Sequence, residues 1–478
     1  MDKASIIAQS YAFTPTAEQL VFCQEMAAFL SQDLDDQCFI LRGYAGTGKT
    51  TSVGALVKAL PKFGFKAVLM APTGRAAKVM SNYTGRKALT IHKRIYRKKS
   101  AVSTDMSFQI TPNISEHTVF IIDEASMIAD EWNTQTSSSF LKDLMQYVYN
   151  HKNCAAIFVG DTAQLPPVGS IDSPALNKDY IAANFGMSVR AVELQEVVRQ
   201  EKESGILANA TMLRKLINEG SSEDADEIEL PKFITTGYKD IFRMTGLKLV
   251  EGLEYAYSKF GMENTLVVCR SNKSANVYNQ QIRARILYRE EELTGGDQIM
   301  VVKNNYYWLP DNESAAFIAN GDMAKIVRVR GTEERFGFRF AEVALEFLDF
   351  PDAGQISCKV MLDTLTAETP NLSYELGNKL FEALNVEYEH LTSKKARFAA
   401  IKEDPYYNAL QIKFAYAVTC HKAQGGQWEA VFVDQGYLTE EMIDLDFLRW
   451  LYTGVTRAKR ELFLVNFAPN LFITPLED

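Results

Sequence analysis

The chain has 478 residues, of which 47% are hydrophobic and 23% charged, and its formal net charge is −9. This length excludes a single small core, and the ordinary composition excludes a disordered or fibrous class, so we expect about two to four globular domains. An acidic total also excludes a wholly basic nucleic-acid coat, although it is compatible with a local basic groove.

The first 160 residues alternate between apolar strands and amphipathic helices. The pattern predicts a helix over 14–30, and another from about 130 to 148, with strands over 38–42, 67–71, 119–122 and 155–159. Because the strands are apolar throughout, a parallel sheet covered on both faces is expected. Residues 82–118 interrupt the alternation as an excursion from the core, and its basic residues are Arg86, Lys87, Lys93, Arg94, Arg97, Lys98 and Lys99.

The second half repeats the pattern with an interruption. A strand over 266–269 and a helix around 273–288 are followed by short strand-like segments at 296–302, 323–330, 338–347 and 355–362. Gly, Asn, Asp and Pro separate these segments, which indicates a small β-barrel or hairpin module. A helical stretch over 374–404 precedes the return of the α/β pattern, with strands at 414–418, 430–433 and 462–465 and a helix over 446–453.

The six cysteines are scattered, without C-x-x-C pairs or histidine spacings suited to zinc, so we expect reduced core thiols. No run of about 18 apolar residues occurs, and the N-terminus lacks the layout of a signal peptide. These features predict a soluble, cytoplasmic protein with no membrane partner.

The stretch GYAGTGKT, residues 43–50, has the spacing G-x-x-x-x-G-K-[ST] between a predicted strand and a predicted helix. In that context the backbone can wrap phosphates, Lys49 can reach the β- and γ-phosphates, and Thr50 can offer its hydroxyl to Mg²⁺. A plain glycine-rich turn is the alternative. The flanking elements favour a nucleotide site.

Two carboxylates follow the apolar run 119–122 at the carboxyl end of a predicted parallel strand, where ligands bind. We expect Asp123 to hold Mg²⁺ and Glu124 to orient and deprotonate the attacking water of a phosphoryl transfer. An acidic turn is the alternative. The phosphate loop, which should follow a neighbouring strand, favours the catalytic interpretation.

Three further polar residues are candidates for contact with the γ-phosphate. Gln164 lies in GDTAQLPPV, residues 160–168, which also follows a predicted buried strand. Arg199 and Arg457 could each supply positive charge to the transferring phosphate from the seam between the two halves. The alternatives are an ordinary polar loop and two surface arginines.

Taken together, these strings resemble those of superfamily 1 helicases, in particular the 5′→3′ branch that contains RecD and Dda. The similarity runs from about residue 14 to 465, and the strings are GYAGTGKT, APTGRAAK (71–78), TIH (90–92), IIDEASM (121–127), GDTAQLPPV, LQEVVRQ (194–200), VTCHKAQGGQWE (418–429) and YTGVTRAKR (452–460).

The resemblance implies an α/β fold with two RecA-like P-loop domains built on parallel sheets. Residues 1–190 are expected to form the first domain, with a small pin insertion at about 84–118. Residues 191–290 and 411–478 are expected to form the second domain. Residues 291–410 are expected to form an inserted SH3-like β-barrel.

The resemblance also implies roles for individual residues. Gln19 would recognise adenine, and the catalytic set would be Lys49, Asp123, Glu124, Gln164, Arg199 and Arg457. The phosphates and magnesium would be held by the loop residues, namely Gly43, Ala45, Gly46, Thr47, Gly48, Lys49, Thr50 and Thr51. The implied nucleic-acid contacts are Pro72, Thr73, Thr90, His92, Thr419 and His421, with Tyr96 or Phe108 as a stacking residue of the pin.

The implied function is an ATP-dependent, magnesium-requiring DNA helicase that translocates 5′→3′ on single-stranded DNA and separates strands at junctions. We expect it to work as a monomer. The alternatives are a nucleic-acid-dependent ATPase or remodeller that does not separate strands, and an RNA helicase, since phosphate contacts distinguish DNA from RNA poorly.

Overall fold

The computed structural model describes residues 2–98, 108–133, 138–197, 203–221, 228–309, 318–349 and 354–473. These residues form two α/β units with parallel sheets and a small closed barrel, so the predicted fold class is confirmed. The cysteines are buried and unpaired.

The first unit is built on a six-stranded parallel sheet. Its described strands are β1 (Gln37–Gly43), β2 (Lys66–Ala71), β3 (Ala88–Thr90), β4 (Tyr96–Lys98), β5 (Phe108–Ile110), β6 (Thr118–Ile122), β7 (Trp132–Asn133), β8 (Ser138–Ser139), β9 (Cys154–Gly160) and β10 (Ser188–Leu194). The sheet order is β10-β1-β9-β6-β2-β3, whereas β4 pairs with β5 and β7 with β8 in separate antiparallel hairpins.

Helices cover both faces of this sheet. They are α1 (Lys3–Ala8), α2 (Ala17–Phe29), α3 (Lys49–Ala59), α4 (Gly74–Thr84), α5 (Ile91–Ile95), α6 (Phe140–Val148) and α7 (Lys178–Phe185). Along β1, Phe39 packs in the core that contains Phe22 of α2, while Ile40 packs in the core that contains Leu144 of α6. Side chains of a strand alternate between faces, so one strand serves two apolar layers.

The second half contains the remaining elements. Its strands are β11 (Ile241–Met244), β12 (Thr265–Cys269), β13 (Gln298–Val301), β14 (Met323–Arg335), β15 (Phe338–Phe347), β16 (Gln355–Met361), β17 (Leu410–Phe414), β18 (Ala417–Thr419), β19 (Trp428–Asp434) and β20 (Ala458–Val465). Its helices are α8 (Gly205–Gly220), α9 (Leu249–Phe260), α10 (Asn272–Arg285), α11 (Tyr374–Glu387), α12 (Lys394–Lys402), α13 (Cys420–Ala423) and α14 (Leu445–Val455). Among the described helices, none is long and apolar enough to cross a bilayer.

The second sheet is also parallel, in the order β11-β20-β19-β12-β18, and the inserted strands β13 to β17 close into a barrel. A buried ionic cluster lies where this barrel leaves the second unit. Asp297 at the start of β13 accepts from the Arg283 guanidinium of α10 at 3.0 Å and from the Tyr416 hydroxyl at 2.9 Å. The cluster fixes the barrel to the sheet that carries it.

Three expectations differ from the structure. The helix expected from about 130 begins only at Phe140, because β7 and β8 occupy part of that stretch and the Ser139 hydroxyl caps the helix by accepting from Lys142 N–H at 3.1 Å. The expected boundary at residue 190 falls inside β10, and the expected end of the insert at 410 falls at the start of β17, which belongs to the barrel.

Candidate active site and nucleic-acid interface

The phosphate loop connects β1 to α3, and two glycines in left-handed conformations shape it. Gly46 has φ +84° and Gly48 has φ +85°, a region that other residues rarely adopt. A Cβ atom on Gly43 would lie 2.8 Å from Thr47 Oγ1, so a side chain there would open the loop. The loop is therefore a tight phosphate cradle that leads directly into a helix N-terminus.

The Lys49 ammonium lies over this cradle. It donates to the carbonyl oxygen of Gly43 and, at 2.8 Å, to that of Tyr44. The Thr47 hydroxyl donates to the same Tyr44 carbonyl at 2.9 Å, whereas Thr50 is exposed and Thr51 half-buried at the start of α3. The lysine is thus held by neutral carbonyl oxygens, which an anionic phosphate can displace.

The two carboxylates lie after β6 in the same cleft. Asp123 accepts from the Tyr83 hydroxyl at 2.7 Å and from the Glu124 N–H at 2.9 Å. Desolvation raises the pKa of both carboxyl groups. The charge of Lys49 opposes this rise at both groups, and the charge of Arg457 opposes it at Glu124. Glu124 also has φ +51°, a strained conformation of the kind that active sites hold in place.

The phosphate loop and the carboxylates were expected to follow neighbouring strands, but the strands that precede them, β1 and β6, are not adjacent. Strand β9 lies between β1 and β6, so the Gln164 loop that follows β9 enters the cleft between Lys49 and Asp123. The Gln164 side chain is buried, and its Oε1 has no partner within the described residues. A buried amide oxygen of this kind can accept a hydrogen bond from a water molecule or from another proton donor bound at the phosphate.

The second unit supplies Arg457 just after α14. This side chain is 2% exposed and donates to Thr453 O at 2.9 Å and to Gly426 O at 3.2 Å. Its charge reaches Glu124 of the first unit across the cleft. Arg199, the other arginine expected here, lies outside the described residues.

Gln19 lies on α2 and is fully buried. Its Oε1 accepts from Thr16 N–H at 3.1 Å, and Thr16 Oγ1 accepts from Gln19 N–H at 3.3 Å, which forms a capping box. The box fixes the side chain and leaves the Nε2 donor without a partner among the described residues. An orphaned buried donor fits an acceptor nitrogen of a purine ring.

The donor set also fits magnesium. Thr50 offers a hydroxyl and Asp123 a carboxylate, both of which are hard oxygen ligands. Within the described residues no group of three or more His, Cys, Asp or Glu side chains could hold a metal. Mg²⁺ needs no such group, since it is commonly bound by one or two carboxylates together with substrate phosphates.

The expected nucleic-acid residues of the first unit lie at helix starts. The Thr73 hydroxyl accepts from Ala76 N–H at 3.2 Å and caps α4 directly after Pro72, and the Thr90 hydroxyl caps α5 in the same way. His92 stacks on Phe140 with ring centroids 4.4 Å apart, and burial lowers its pKa to about 4. His92 is therefore neutral at physiological pH and would contribute no positive charge to a phosphate contact.

The corresponding residues of the second unit lie at the end of β18 and just after it. Thr419 lies at the N-cap position of α13 without a side-chain cap bond, and His421 is exposed. Thr419 is the last residue of β18 and Thr73 lies two residues after β2, so both lie at the carboxyl edge of a parallel sheet. Both halves thus present a hydroxyl at the edge where ligands of such sheets bind.

Comparisons with known proteins agree with this geometry. Residues 19–233 match the family model described as AAA domain, and residues 414–465 match the UvrD-like helicase C-terminal domain. The ATP-dependent DNA helicase Dda of Enterobacteria phage T4 is 24% identical, with 89% of this chain and 93% of Dda covered. The chain thus resembles superfamily 1 helicases.

Other matches are longer or more distant. The ATP-dependent RecD2 DNA helicase of Deinococcus radiodurans is 22% identical over 92% of this chain, which spans 48% of that protein. The matches to RecD2 and Dda confirm the expected resemblance to RecD and Dda. A crystal structure of the Pif1 helicase from Bacteroides with ADP-AlF3 and single-stranded DNA aligns with a TM-score of 0.46 at 15% identity, covering 97% of this chain and 95% of that one.

The hairpin of β4 and β5 lies in the stretch where a pin insertion is expected. Tyr96, expected as a stacking residue, is 8% exposed and donates its hydroxyl to Asp143 at 2.7 Å. Its ring also lies 5.5 Å from that of His92. This placement favours a packing role over base stacking, because the phenol is held in the core of the first unit. The side chain of Phe108 and residues 99–107 lie outside the described part of the chain.

Three residues of the site were not found from the sequence. Tyr83 holds Asp123, Asp161 holds the Gln164 loop, and Tyr452 contacts both the phosphate loop and Asp161. Asp161 and Tyr452 lie inside GDTAQLPPV and YTGVTRAKR, so their membership of these strings was an available signal. Tyr83 carries no such signal, since it lies on a helix distant in sequence from Asp123.

Proposed function

We propose that this protein is a helicase that hydrolyses ATP in the cleft between its two α/β units and uses the energy to move 5′→3′ along single-stranded DNA and separate duplex strands. The observation that carries the proposal is the composition of the cleft. The first unit supplies Lys49, Asp123 and Glu124, while Arg457 comes from the second unit and its charge reaches Glu124. Hydrolysis would therefore depend on the relative position of the units.

In this mechanism each residue acts on the triphosphate or on the attacking water. Lys49 binds the β- and γ-phosphates, Glu124 takes a proton from the water, and Gln164 orients that water or senses the γ-phosphate. Bound Mg²⁺, held by Thr50 and Asp123, would neutralise charge on the phosphate oxygens. Arg457, together with Arg199, stabilises the charge that develops on the transferring group.

Movement follows if the two units grip DNA differently in the two nucleotide states. Thr73 and Thr90 of the first unit and Thr419 of the second would contact phosphates, which position a strand without reading its sequence. ATP can shift the grip only through a difference in affinity between the open and closed arrangements. Because one chain supplies both walls of the cleft, we infer that a monomer is sufficient.

A strand-displacement assay with 5′-tailed, 3′-tailed and forked DNA tests the proposal. We expect ATP- and magnesium-dependent unwinding of the 5′-tailed and forked substrates and none of the 3′-tailed one. Glu124→Gln is the matched control, since it should bind a fluorescent ATP analogue but neither hydrolyse ATP nor unwind DNA. Unwinding from the 3′ tail alone would contradict the polarity.

A remodeller without strand-separating activity is a second candidate, because Tyr96 is packed in the core and not presented as a stacking surface. In that case single-stranded DNA would stimulate ATP hydrolysis while no substrate is unwound. Stimulation by matched RNA oligomers above that by DNA would instead indicate an RNA helicase.

A further inference from the structure

Tyr452 lies on α14 of the second unit and is 1% exposed. Its hydroxyl accepts from the Ala45 N–H of the phosphate loop at 2.9 Å and donates to Asp161 Oδ2 at 2.7 Å. A single oxygen atom thus joins the second unit to two nucleotide-site loops of the first. The first bond occupies the N–H of Ala45, a residue of the expected phosphate cradle, and no catalytic role is assigned above to Tyr452.

Asp161 extends the contact to Gln164. Its Oδ1 accepts from Ala163 N–H at 3.0 Å, and its backbone oxygen accepts from Gln164 N–H at 3.3 Å. The same loop is held from the second unit at the next residue, where Leu165 N–H donates to Thr453 Oγ1 at 2.9 Å. The position of the Gln164 carboxamide is therefore tied to α14.

Tyr452 is also tied to Arg457, which lies just after its helix. The Thr456 hydroxyl donates to Tyr452 O at 2.8 Å, and the Arg457 guanidinium donates to Thr453 O and Thr456 Oγ1. The last turn of α14 and the residues that follow it are thus one hydrogen-bonded unit, with Tyr452 at one end and Arg457 at the other. A shift of the tyrosine would move the arginine with it.

The chemistry of the phenol suits this position. Burial, reinforced by the Asp161 charge, raises the pKa of Tyr452 well above its usual range, so the hydroxyl stays protonated and can donate and accept at once. Phenylalanine at this position would leave Asp161 Oδ2 and the Ala45 N–H without this partner inside the cleft. Buried groups that lose a partner in this way are costly.

We propose that Tyr452 is a positioning residue that sets Gln164 and Arg457 against the phosphate loop when the cleft closes on ATP. The inference rests on the proposed ATPase function and adds a residue that touches neither nucleotide nor water. Its hydroxyl would hold the phosphate loop, the Gln164 segment and the end of α14 in fixed positions relative to one another. Gln164 and Arg457, the two side chains expected to contact the γ-phosphate, would then reach it together.

The test is steady-state ATP hydrolysis by Tyr452→Phe. We expect kcat to fall about tenfold or more, with KM for ATP changed less than about threefold, because the lost interactions act on the transition state. Asp161→Asn should show the same effect, and the double variant should be no worse than either single one, since the two groups act as one pair.

A binding measurement separates positioning from folding. The wild type should gain more thermal stability from ADP–aluminium fluoride than from ADP, and Tyr452→Phe should lose this extra shift while keeping the ADP shift. Tyr416→Phe is the matched control. Its hydroxyl is equally buried, donates to Asp297 at 2.9 Å and accepts from Gln298 N–H at 3.1 Å, but it lies at the base of the barrel.

The outcomes distinguish the inference from the proposed function. If the wild type hydrolyses ATP, and Tyr452→Phe keeps both the wild-type kcat and the extra stability shift with ADP–aluminium fluoride, the inference alone is overturned. Equal losses in Tyr452→Phe and Tyr416→Phe also overturn it, since they would indicate a general effect on folding. A wild type that hydrolyses no ATP overturns the proposed function and this inference with it.

Discussion

Glu124 is the residue at which opposing electrostatic effects meet. Desolvation in the cleft disfavours its charged form, whereas Arg457 and Lys49 favour it, and the net result is a raised pKa. A general base works best when its pKa lies near the working pH, and this rise moves the Glu124 pKa in that direction. The left-handed backbone at this position aims the carboxylate at the cost of local strain.

The acid side of the pH–rate profile tests this balance. Because Arg457 lowers the Glu124 pKa, removing its charge in Arg457→Ala should raise that pKa further. The deprotonated base would then be lost at a higher pH, so the acid limb of kcat for the residual ATP hydrolysis should move to higher pH. Lys459→Ala removes an exposed charge only two residues along the chain, in β20, and should leave the acid limb in place. An acid limb that does not move in Arg457→Ala would contradict the role of Glu124 as base.

Local spacing was enough to place some candidate residues together. Asp123 and Glu124 directly follow β6 and Lys49 begins the helix after the phosphate loop, and the fold brings all three into one cleft. Tyr83 could not be predicted, since its bond to Asp123 depends on how α4 packs on the sheet that contains β6. For Tyr96 the sequence could not decide between packing and stacking, because an aromatic side chain in a hairpin can point toward either face, and here it points into the core.

At the level of elements, apolar runs predicted the strands well and the polar connections poorly. Most central strands of both sheets lie within a few residues of their predicted bounds, since a fully buried strand must be apolar throughout. No strand was predicted where β3, β10 and β11 lie. The helix expected from about 130 was wrong at its start, because β7 and β8 occupy described parts of that stretch and the Ser139 hydroxyl caps α6.

The barrel carries a titratable group that should limit its stability. Asp322 is fully buried before β14, and burial raises its pKa from 3.8 to about 7 despite the nearby charge of Lys93. Between these pH values the folded state binds more protons than the unfolded state. Stability therefore falls as the pH rises from about 4, and the loss is complete above about pH 7.

Asp322→Asn should remove this loss while keeping an acceptor for the Ala319 N–H. We expect the variant to be more stable than the wild type at pH 8, by on the order of 2–4 kcal/mol, and the difference to shrink toward pH 4. Denaturant unfolding at both pH values measures it. Asp446→Asn, an exposed aspartate, should change stability by less than about 0.5 kcal/mol at either pH. A variant less stable than the wild type at pH 8 would refute the assignment.

At the scale of the whole molecule, Arg75 connects the three units. It lies in the first turn of α4, donates to Gln427 O of the second unit at 3.2 Å, and stacks over the Trp428 ring at 4.7 Å. It also lies 3.9 Å from Asp349 of the barrel. The neighbouring Lys78 donates to the Leu348 carbonyl, so α4 is joined to the barrel at two points. The helix α4 therefore contacts both the second unit and the barrel, so a movement of the second unit relative to the first can also affect the position of the barrel.

The Arg75–Asp349 contact should be a real coupling between units and not a surface ion pair. The Asp349 side chain is fully buried, and neither of its oxygens has a hydrogen-bond partner among the described residues, so removing Arg75 alone leaves a buried charge with less compensation. In a double-mutant cycle of Arg75→Ala and Asp349→Ala, we expect a coupling free energy of about 1–3 kcal/mol from denaturant unfolding. The exposed pair Arg330–Glu342, at 3.2 Å within the barrel, is the matched control and should give less than about 1 kcal/mol. Additive effects at Arg75 and Asp349 would show that the barrel is held by apolar packing and the Lys78 contact, and that α4 does not transmit closure to it through this ion pair.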